Sequence, residues 1–222
     1  MVDRNPAPGP LPAEVGRCLD AGLAQLGVPD SAGRAAALVR YLELLQRWNR
    51  AYNLTSVTEP RDMAVRHILD SVSARPFLAG ARVLDAGSGA GLPGIPLALL
   101  EPARHFTLLD SVGKKVSFLR QAVLELRLAN ATPVQARLEN WDAALAFDTV
   151  ICRALGTLTA FASLCGRLLA PGGRLVAMKG RFPREELDEL PRPWRVVEAR
   201  RVTVPGLEAE RHFVVLEHGS DG

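Results

Sequence analysis

Cysteine is scarce in this chain, with only Cys18, Cys152 and Cys165 among 222 residues. Their odd number and wide spacing exclude a disulfide framework and a zinc knuckle, because both need paired cysteines at short spacings. A free cysteine is usually buried as a small apolar residue. The sequence therefore predicts three buried thiols and no metal site.

Long hydrophobic runs are also missing. No stretch approaches the roughly 20 apolar residues that a membrane-spanning helix needs. The first residues, Met1 to Pro6, lack the apolar segment of a signal peptide. We therefore expect a cytoplasmic protein that does not contact a membrane.

Lysine is rare as well, and arginine carries most of the positive charge, since the only lysines are Lys114, Lys115 and Lys179. The net charge is +3 and the isoelectric point is about 9.0. These values allow an anionic partner but do not demand one, because basicity concerns association rather than fold.

Hydrophobic residues make up 48% of the chain, enough for one sizeable core. Residues 1–12 hold four prolines and a glycine, which predicts a disordered tail. In residues 13–75 apolar side chains recur at helical spacing. This N-terminal helical element is predicted to contain helices that start near residue 13, at 30 or 31, and at 60, the last ending at about 74.

Strands and helices alternate through residues 76–222, the principal domain. The predicted elements are strands at 82–86, 105–110, 132–136, 148–153 and 174–179, and helices at 93–100, 113–127 and 157–169. Such alternation indicates parallel strands joined by crossover helices. The last two runs, 194–204 and 212–217, predict an antiparallel hairpin. The expected fold class is therefore α/β with a mostly parallel sheet.

A glycine-rich turn follows the first predicted strand. Gly87, Gly89 and Gly91 lie between the strand that ends near Asp85 and a helix that begins near Pro93. Bare Cα atoms let a ligand approach the backbone and tolerate positive φ. The third glycine of a dinucleotide-binding turn would fall at position 92, which is leucine, and no Gly-Lys-Ser/Thr follows. The sequence predicts a ligand site that is neither a dinucleotide turn nor a phosphate loop.

The next predicted strand ends in Asp110, twenty-five positions after Asp85. An acid at that place accepts hydrogen bonds from ribose hydroxyls, and its charge repels a phosphorylated ribose. Together with Asp85 and the three glycines, it describes a nucleoside pocket. S-adenosyl-L-methionine is the common ligand of that kind, whereas an ordinary tight loop is the alternative.

Several segments together resemble one family, the bacterial RsmG (GidB) methyltransferases. The resemblance covers roughly residues 14–217 and is carried by Arg47–Ser56, Arg66–Ser71, Asp85–Pro96, Leu108–Lys115, Val150–Ala154 and Met178–Gly180. It implies the Rossmann fold of class I methyltransferases, S-adenosyl-L-methionine as cofactor, and methylation of guanine N7 in 16S small-subunit ribosomal RNA. Cys152 stands where the family often has serine.

The resemblance also implies which residues bind the cofactor: Gly87, Leu92, Leu138, Glu139 and Arg153. All five follow predicted strands, and ligands of open parallel sheets bind at that edge. Glu139 is expected to accept a hydrogen bond from the adenine amino group, although an acid there could simply begin a helix. Arg153 is the one candidate catalytic residue, and its alternative is a solvated strand end.

Candidate RNA-binding residues are Arg66, His67, Asp70 and Lys179. In the third predicted helix, Arg66 and Asp70 are four residues apart and therefore share a face. The alternative for this segment is a salt-bridged helix surface, or a histidine that seals the helix against the sheet. Trp48 and Tyr52 are interpreted as core rather than as base-stacking residues, because aromatic side chains dominate cores.

The expected reaction needs no general base, because guanine N7 is a pure hydrogen-bond acceptor without a proton. The expected partner is small-subunit ribosomal RNA, free or within an assembled or partly assembled subunit, and the protein is expected to be a monomer. Two alternatives stay open: a methyltransferase for a small molecule or protein, and a nucleoside-binding regulator without catalysis. Labelled cofactor separates all three.

Overall fold

The computed structural model describes residues 9–219. Two long helices come first, α1 (Ala13–Gln25) and α2 (Ser31–Tyr52), and they pack against each other. Residues 1–8 of the expected tail lie outside the described residues. Leu11 is largely buried, and its N–H donates to Glu43 Oε1 at 3.1 Å, so ordered contacts begin before α1.

The third helical segment is not a uniform α-helix. The short helix α3 (Pro60–Met63) leads into a π-helical turn at Ala64–Leu69, and α4 (Asp70–Val72) ends the segment. A π turn has i→i+5 hydrogen bonds, so the side chains on either side of it are rotated relative to a continuous α-helix. The prediction of one helix from 60 to about 74 is therefore wrong at its centre.

A seven-stranded sheet forms the centre of the molecule. Its strands are β1 (Arg82–Ala86), β2 (His105–Asp110), β3 (Ala131–Gln135), β4 (Phe147–Arg153), β5 (Leu169–Lys179), β6 (Trp194–Arg201) and β7 (His212–His218). The order is β3-β2-β1-β4-β5-β7-β6. The first five strands are parallel, and β7 and β6 add the antiparallel hairpin. The predicted α/β class is confirmed.

The strand order reverses at β1. The chain moves from β1 to β2 and β3, and then crosses to the other side of β1 to form β4. The crossover helices are α5 (Gly94–Leu100), α6 (Gly113–Glu125) and α7 (Leu158–Cys165). Such a reversal opens a crevice at the carboxyl ends of the strands, which is where ligands of open α/β sheets bind.

Element ends differ from the predictions at a few places. Strand β5 begins at Leu169, so the Pro171–Gly173 turn lies in its irregular first half and not before it. Helix α7 stops at Cys165, and a short 3-10 turn replaces its expected end. Helix α8 (Arg184–Asp188) was not predicted, because it is too short to show apolar periodicity. Its Glu186 Oε2 forms an ion pair with Lys179 Nζ at 2.7 Å.

Apolar side chains cover both faces of the sheet. One buried cluster joins α1 and α2 to the sheet and includes Leu19, Leu42, Ile68, Phe106 and Phe213. A second cluster fills the other face beneath α7. Among residues 9–219 no helix combines the length and the apolar character that crossing a bilayer requires.

The three cysteines do not share one environment. Cys152 and Cys165 are buried as predicted, but Cys18 is half-buried, so the prediction is wrong there. Cys18 faces a surface groove between α1 and the Pro205–Gly206 turn. The Trp48 ring packs edge-on against Phe118, with ring centroids 5.8 Å apart, which confirms its interpretation as a core residue. Tyr52 stacks on Trp48 but is 41% exposed, so the interpretation of Tyr52 as core is wrong.

Candidate active site

Asp85 holds the glycine turn from beneath. Its Oδ2 accepts hydrogen bonds from Ser88 Oγ at 2.7 Å and from the Gly94 N–H at 2.8 Å. The side chain is completely buried, and burial raises the pKa of Asp85 to about 6. The carboxylate therefore supports the turn through Oδ2, and its contact with the cofactor stays a prediction.

The three glycines of the turn serve different purposes. All have positive φ, at 72° for Gly87, 60° for Gly89 and 86° for Gly91. A Cβ at Gly91 would lie 2.4 Å from Ile95 Cδ1, so this glycine lets α5 pack under the turn. A Cβ at Gly89 would have no neighbour closer than 3.9 Å, which leaves that face of the turn open.

Asp110 links the end of β2 to the glycine turn. Its carboxylate oxygens accept from the Gly89 and Val112 N–H groups, both at 2.9 Å, and Lys115 Nζ lies 3.6 Å away. Only a small part of the side chain is exposed, but it lines the crevice. Because each carboxylate oxygen accepts more than one hydrogen bond, Asp110 can still receive a ribose hydroxyl.

A cavity of about 330 Å³ lies at the carboxyl ends of β1 to β4. It brings together four of the predicted cofactor residues, Gly87, Asp110, Leu138 and Glu139. The Glu139 side chain is exposed in a 3-10 turn, whereas the Leu138 carbonyl accepts from Arg167 Nη2 at 2.7 Å. The donors, acceptors and apolar wall of this cavity fit a nucleoside.

Other predicted residues do not line that cavity. Leu92 is 4% exposed and belongs to the core beneath the turn. Sequence reasoning also missed Tyr41, whose Oη donates to the Ala90 carbonyl at 2.6 Å and so joins α2 to the turn. Its helical spacing marks Tyr41 as core, but no local signal gives its partner. The sequence also predicts Lys115 only as solvated charge on a helix, whereas it lines the cavity 3.6 Å from Asp110.

Arg153 lies at the end of β4 and turns toward the N-terminal helical element. Its Nη1 donates to the Arg66 carbonyl at 3.1 Å and lies 3.4 Å from Asp70 Oδ2. Asp70 is 1% exposed, and its Oδ1 accepts from Arg211 Nε at 2.5 Å. Asp70 is too buried to contact RNA in this structure, and it does not pair with Arg66. Arg66 pairs with Asp62 at 3.9 Å on the helix surface, as the structural alternative expected for this segment.

His67 and Lys179 are also engaged within the protein. His67 Nε2 is 2.9 Å from Thr55 Oγ1, and burial, assisted by the Arg153 charge, lowers the pKa of His67 to about 4. This neutral ring joins the π turn to the segment that follows α2, and not to the sheet as the structural alternative expected. Lys179 Nζ donates to Glu186 and to the Gly156 carbonyl at 2.8 Å. RNA binding by His67 and Lys179 stays a prediction.

The sheet order, the crevice at its reversal and the bracing of the glycine turn define a class I methyltransferase fold. The glycopeptide N-methyltransferase MtfA complexed with S-adenosyl-L-methionine matches with a TM-score of 0.57 at 15% identity, over 68% of this chain and 94% of that one. A precorrin-6y C5,15-methyltransferase from Geobacter metallireducens gives 0.52 at 20% identity, over 76% and 92%. The cofactor expected from the sequence is the one named for MtfA.

The family is narrower than the fold. Residues 34–214 match the family model of GidB, the rRNA small subunit methyltransferase G. The protein named "Ribosomal RNA small subunit methyltransferase G" from Escherichia fergusonii is 51% identical to this chain over 180 residues. The alignment covers 81% of this chain and 87% of that protein. In Stenotrophomonas maltophilia the identity is 47% over 207 residues, with 93% and 97% covered. The chain belongs to this methyltransferase family.

Proposed function

We propose that this protein transfers a methyl group from S-adenosyl-L-methionine to N7 of one guanine in 16S ribosomal RNA. The observation that carries the proposal is the cavity that joins Gly87, Asp110 and Glu139 at the sheet's reversal. The membership of the chain in a family of small-subunit ribosomal RNA methyltransferases supports the substrate class. The choice of guanine N7 rests on the family resemblance of the sequence.

The residues around the cavity can each hold one part of the cofactor. Asp110 would accept a ribose hydroxyl, Glu139 the adenine amino group, and Leu138 would pack against the ring. Gly87 borders the same cavity, and without a side chain it allows a ligand to approach the backbone. When bound, the cofactor supplies an electrophilic methyl group.

Guanine N7 needs orientation more than proton transfer. It carries an in-plane lone pair and no proton, so no side chain has to remove one. The buried acid under the turn, Asp85, and the neutral ring of His67 both have partners within the fold. The protein would accelerate an in-line displacement by holding the two reactants in register and excluding water.

The experiment is incubation of the protein with methyl-labelled cofactor and three acceptors. These are small ribosomal subunits that lack the modification, 16S RNA extracted from them, and a mixture of proteins and metabolites. We expect label in RNA, from the subunits, the free RNA or both. Label in protein or small molecules alone would support the alternative methyltransferase. Tight cofactor binding without transfer would support a regulator.

A further inference from the structure

One buried carboxylate sits between two guanidinium groups beside the candidate active site. Asp70 follows the π turn, Arg153 ends β4, and Arg211 precedes β7. The two contacts span 83 and 141 residues of sequence. The side chain of Asp70 is 1% exposed, against 26% for Arg153 and 18% for Arg211. Three distant segments therefore converge on one acid.

The two arginines do not share Asp70 equally. Arg211 Nε lies 2.5 Å from Oδ1, whereas Arg153 Nη1 lies 3.4 Å from Oδ2 and is closer to the Arg66 carbonyl, at 3.1 Å. The short contact assigns most of the acid's charge to Arg211. Asp70 therefore balances little of the Arg153 charge, and the buried carboxylate of Asp85 acts on that charge without forming an ion pair among the described residues.

That remaining charge lies beside the residues that line the cavity, although Arg153 itself is not one of them. Arg153 is followed directly by Ala154 and Leu155, which line the cavity next to Gly87. The amino-acid part of S-adenosyl-L-methionine carries a carboxylate, and the planar fork of arginine matches a carboxylate well. Without Arg211, the buried carboxylate of Asp70 would have Arg153 as its one ion-pair partner among the described residues. We then expect Asp70 to attract the Arg153 guanidinium away from the cofactor carboxylate.

We propose that Arg211 is a positioning residue: by neutralising Asp70 it keeps the Arg153 guanidinium free to receive the cofactor carboxylate. This inference rests on the proposed function, because it assumes that the cavity binds S-adenosyl-L-methionine. Arg211 itself touches neither the cavity lining nor the glycine turn among the described contacts. Its effect on the cofactor would pass entirely through Asp70 and Arg153.

The test measures the affinity for S-adenosyl-L-homocysteine by calorimetry, together with thermal unfolding of each variant. Arg211→Met should raise Kd about tenfold, the lower end for losing a hydrogen bond to a charged group. The double variant Arg211→Met/Asp70→Asn should return Kd to within about twofold of the unaltered protein, since no acid then competes for Arg153. A purely structural role predicts no such recovery.

Arg211→Lys keeps the inference falsifiable if Arg211→Met folds poorly, and a comparison in the Arg153→Met background adds an independent check. Arg211→Lys retains a cation beside Asp70 and should keep Kd within about threefold of the unaltered protein. In a protein that already carries Arg153→Met, adding Arg211→Met should change Kd no further. Arg75→Met is the matched control, because it removes an ion pair to Glu101 of 2.6 Å outside this cluster. It should leave Kd unchanged.

The outcomes separate the inference from the proposed function. An unaltered protein that does not bind S-adenosyl-L-homocysteine would remove the cofactor site itself. If it binds, but folded Arg211→Met binds equally well, or the double variant stays as weak as the single one, the positioning role of Arg211 is wrong. Steady-state kinetics add a second reading: Arg211→Met should raise KM for the cofactor and leave kcat unchanged.

Discussion

Asp110 is the residue on which the proposed cofactor site depends most. The same carboxylate holds the Gly89 and Val112 N–H groups and borders the cavity. Its position at the end of a strand could be predicted from the sequence, because a carboxylate after the second strand of such a fold meets a ribose. Its hydrogen bonds to the two backbone N–H groups could not be predicted, because they depend on how the glycine turn folds over the carboxylate.

Replacing Asp110 by alanine should weaken cofactor binding by about 1.5–3 kcal/mol, the range for a hydrogen bond to a charged group. Calorimetry with S-adenosyl-L-homocysteine measures the change. Glu125→Ala, on the outer face of α6 where Glu125 pairs with Arg47, serves as the control and should not alter affinity. Unchanged affinity in Asp110→Ala would contradict the ribose assignment.

Two buried groups should make stability respond to pH in opposite directions. Burial raises the pKa of Asp85 from 3.8 to about 6, so the folded state binds more protons between these values and loses stability as pH rises. Burial lowers the pKa of His67 from 6.5 to about 4, so the unfolded state binds more protons there and stability rises with pH. In the unaltered protein the two effects largely cancel.

Urea unfolding between pH 4 and 6.5 separates the two effects in single variants. Relative to Asp85→Asn, the unaltered protein should lose on the order of 3 kcal/mol across this window, at about 1.4 kcal/mol per pKa unit. Relative to His67→Gln it should gain a similar amount. Parallel curves for all three proteins would show that neither group titrates as described.

The π turn at Ala64–Leu69 explains why the prediction of one continuous α-helix from 60 to about 74 is wrong at its centre. Helical spacing predicted a helix over this stretch correctly, but an α-helix would place Arg66 beside Asp70. With the wider turn, Asp70 faces β4 and β7, and Arg66 pairs with Asp62 instead. No local sequence pattern predicts a π turn, because its formation depends on packing against α1, which is distant in the sequence.

The glycine turn yields a paired prediction. Gly91→Ala places a Cβ 2.4 Å from Ile95 at φ 86° and should cost more than about 3 kcal/mol of unfolding free energy. Gly87→Ala meets only Leu155 Cδ1, at 3.2 Å, and should cost about 1 kcal/mol, yet it narrows the cavity and should weaken cofactor binding several-fold. Urea unfolding and calorimetry on both variants check the contrast. Equal effects on stability would contradict the packing role of Gly91.

The helices before the sheet and the sheet itself share one core at the scale of the whole molecule. A continuous apolar cluster runs from α1 and α2 to β2 and β7, and Tyr41 ties α2 to the glycine turn. The alternation of strands and helices predicted the parallel sheet and its hairpin from the sequence. The contacts of Asp70 with Arg153 and Arg211 could not be predicted from the sequence. Residues that are 83 and 141 positions apart leave no local pattern.

This shared core predicts a single cooperative unfolding transition. Leu42→Ala, at a completely buried position of α2, should lower the unfolding free energy by about 2–5 kcal/mol. With Trp48 of α2 replaced by phenylalanine, the loss should appear equally in circular dichroism and in the fluorescence of the remaining tryptophans, Trp141 and Trp194, which lie in the domain that contains the sheet. Separate transitions for the two probes would mean that the helical element unfolds by itself.

The modified nucleotide offers the most direct test of the proposed function. 16S RNA treated with the protein and S-adenosyl-L-methionine can be reduced and cleaved with aniline, which breaks the strand at N7-methylguanine. We predict scission at one guanine, dependent on the cofactor and absent with Asp110→Ala at low cofactor concentration. Methyl label in the RNA without such scission, or scission at many guanines, would contradict the account.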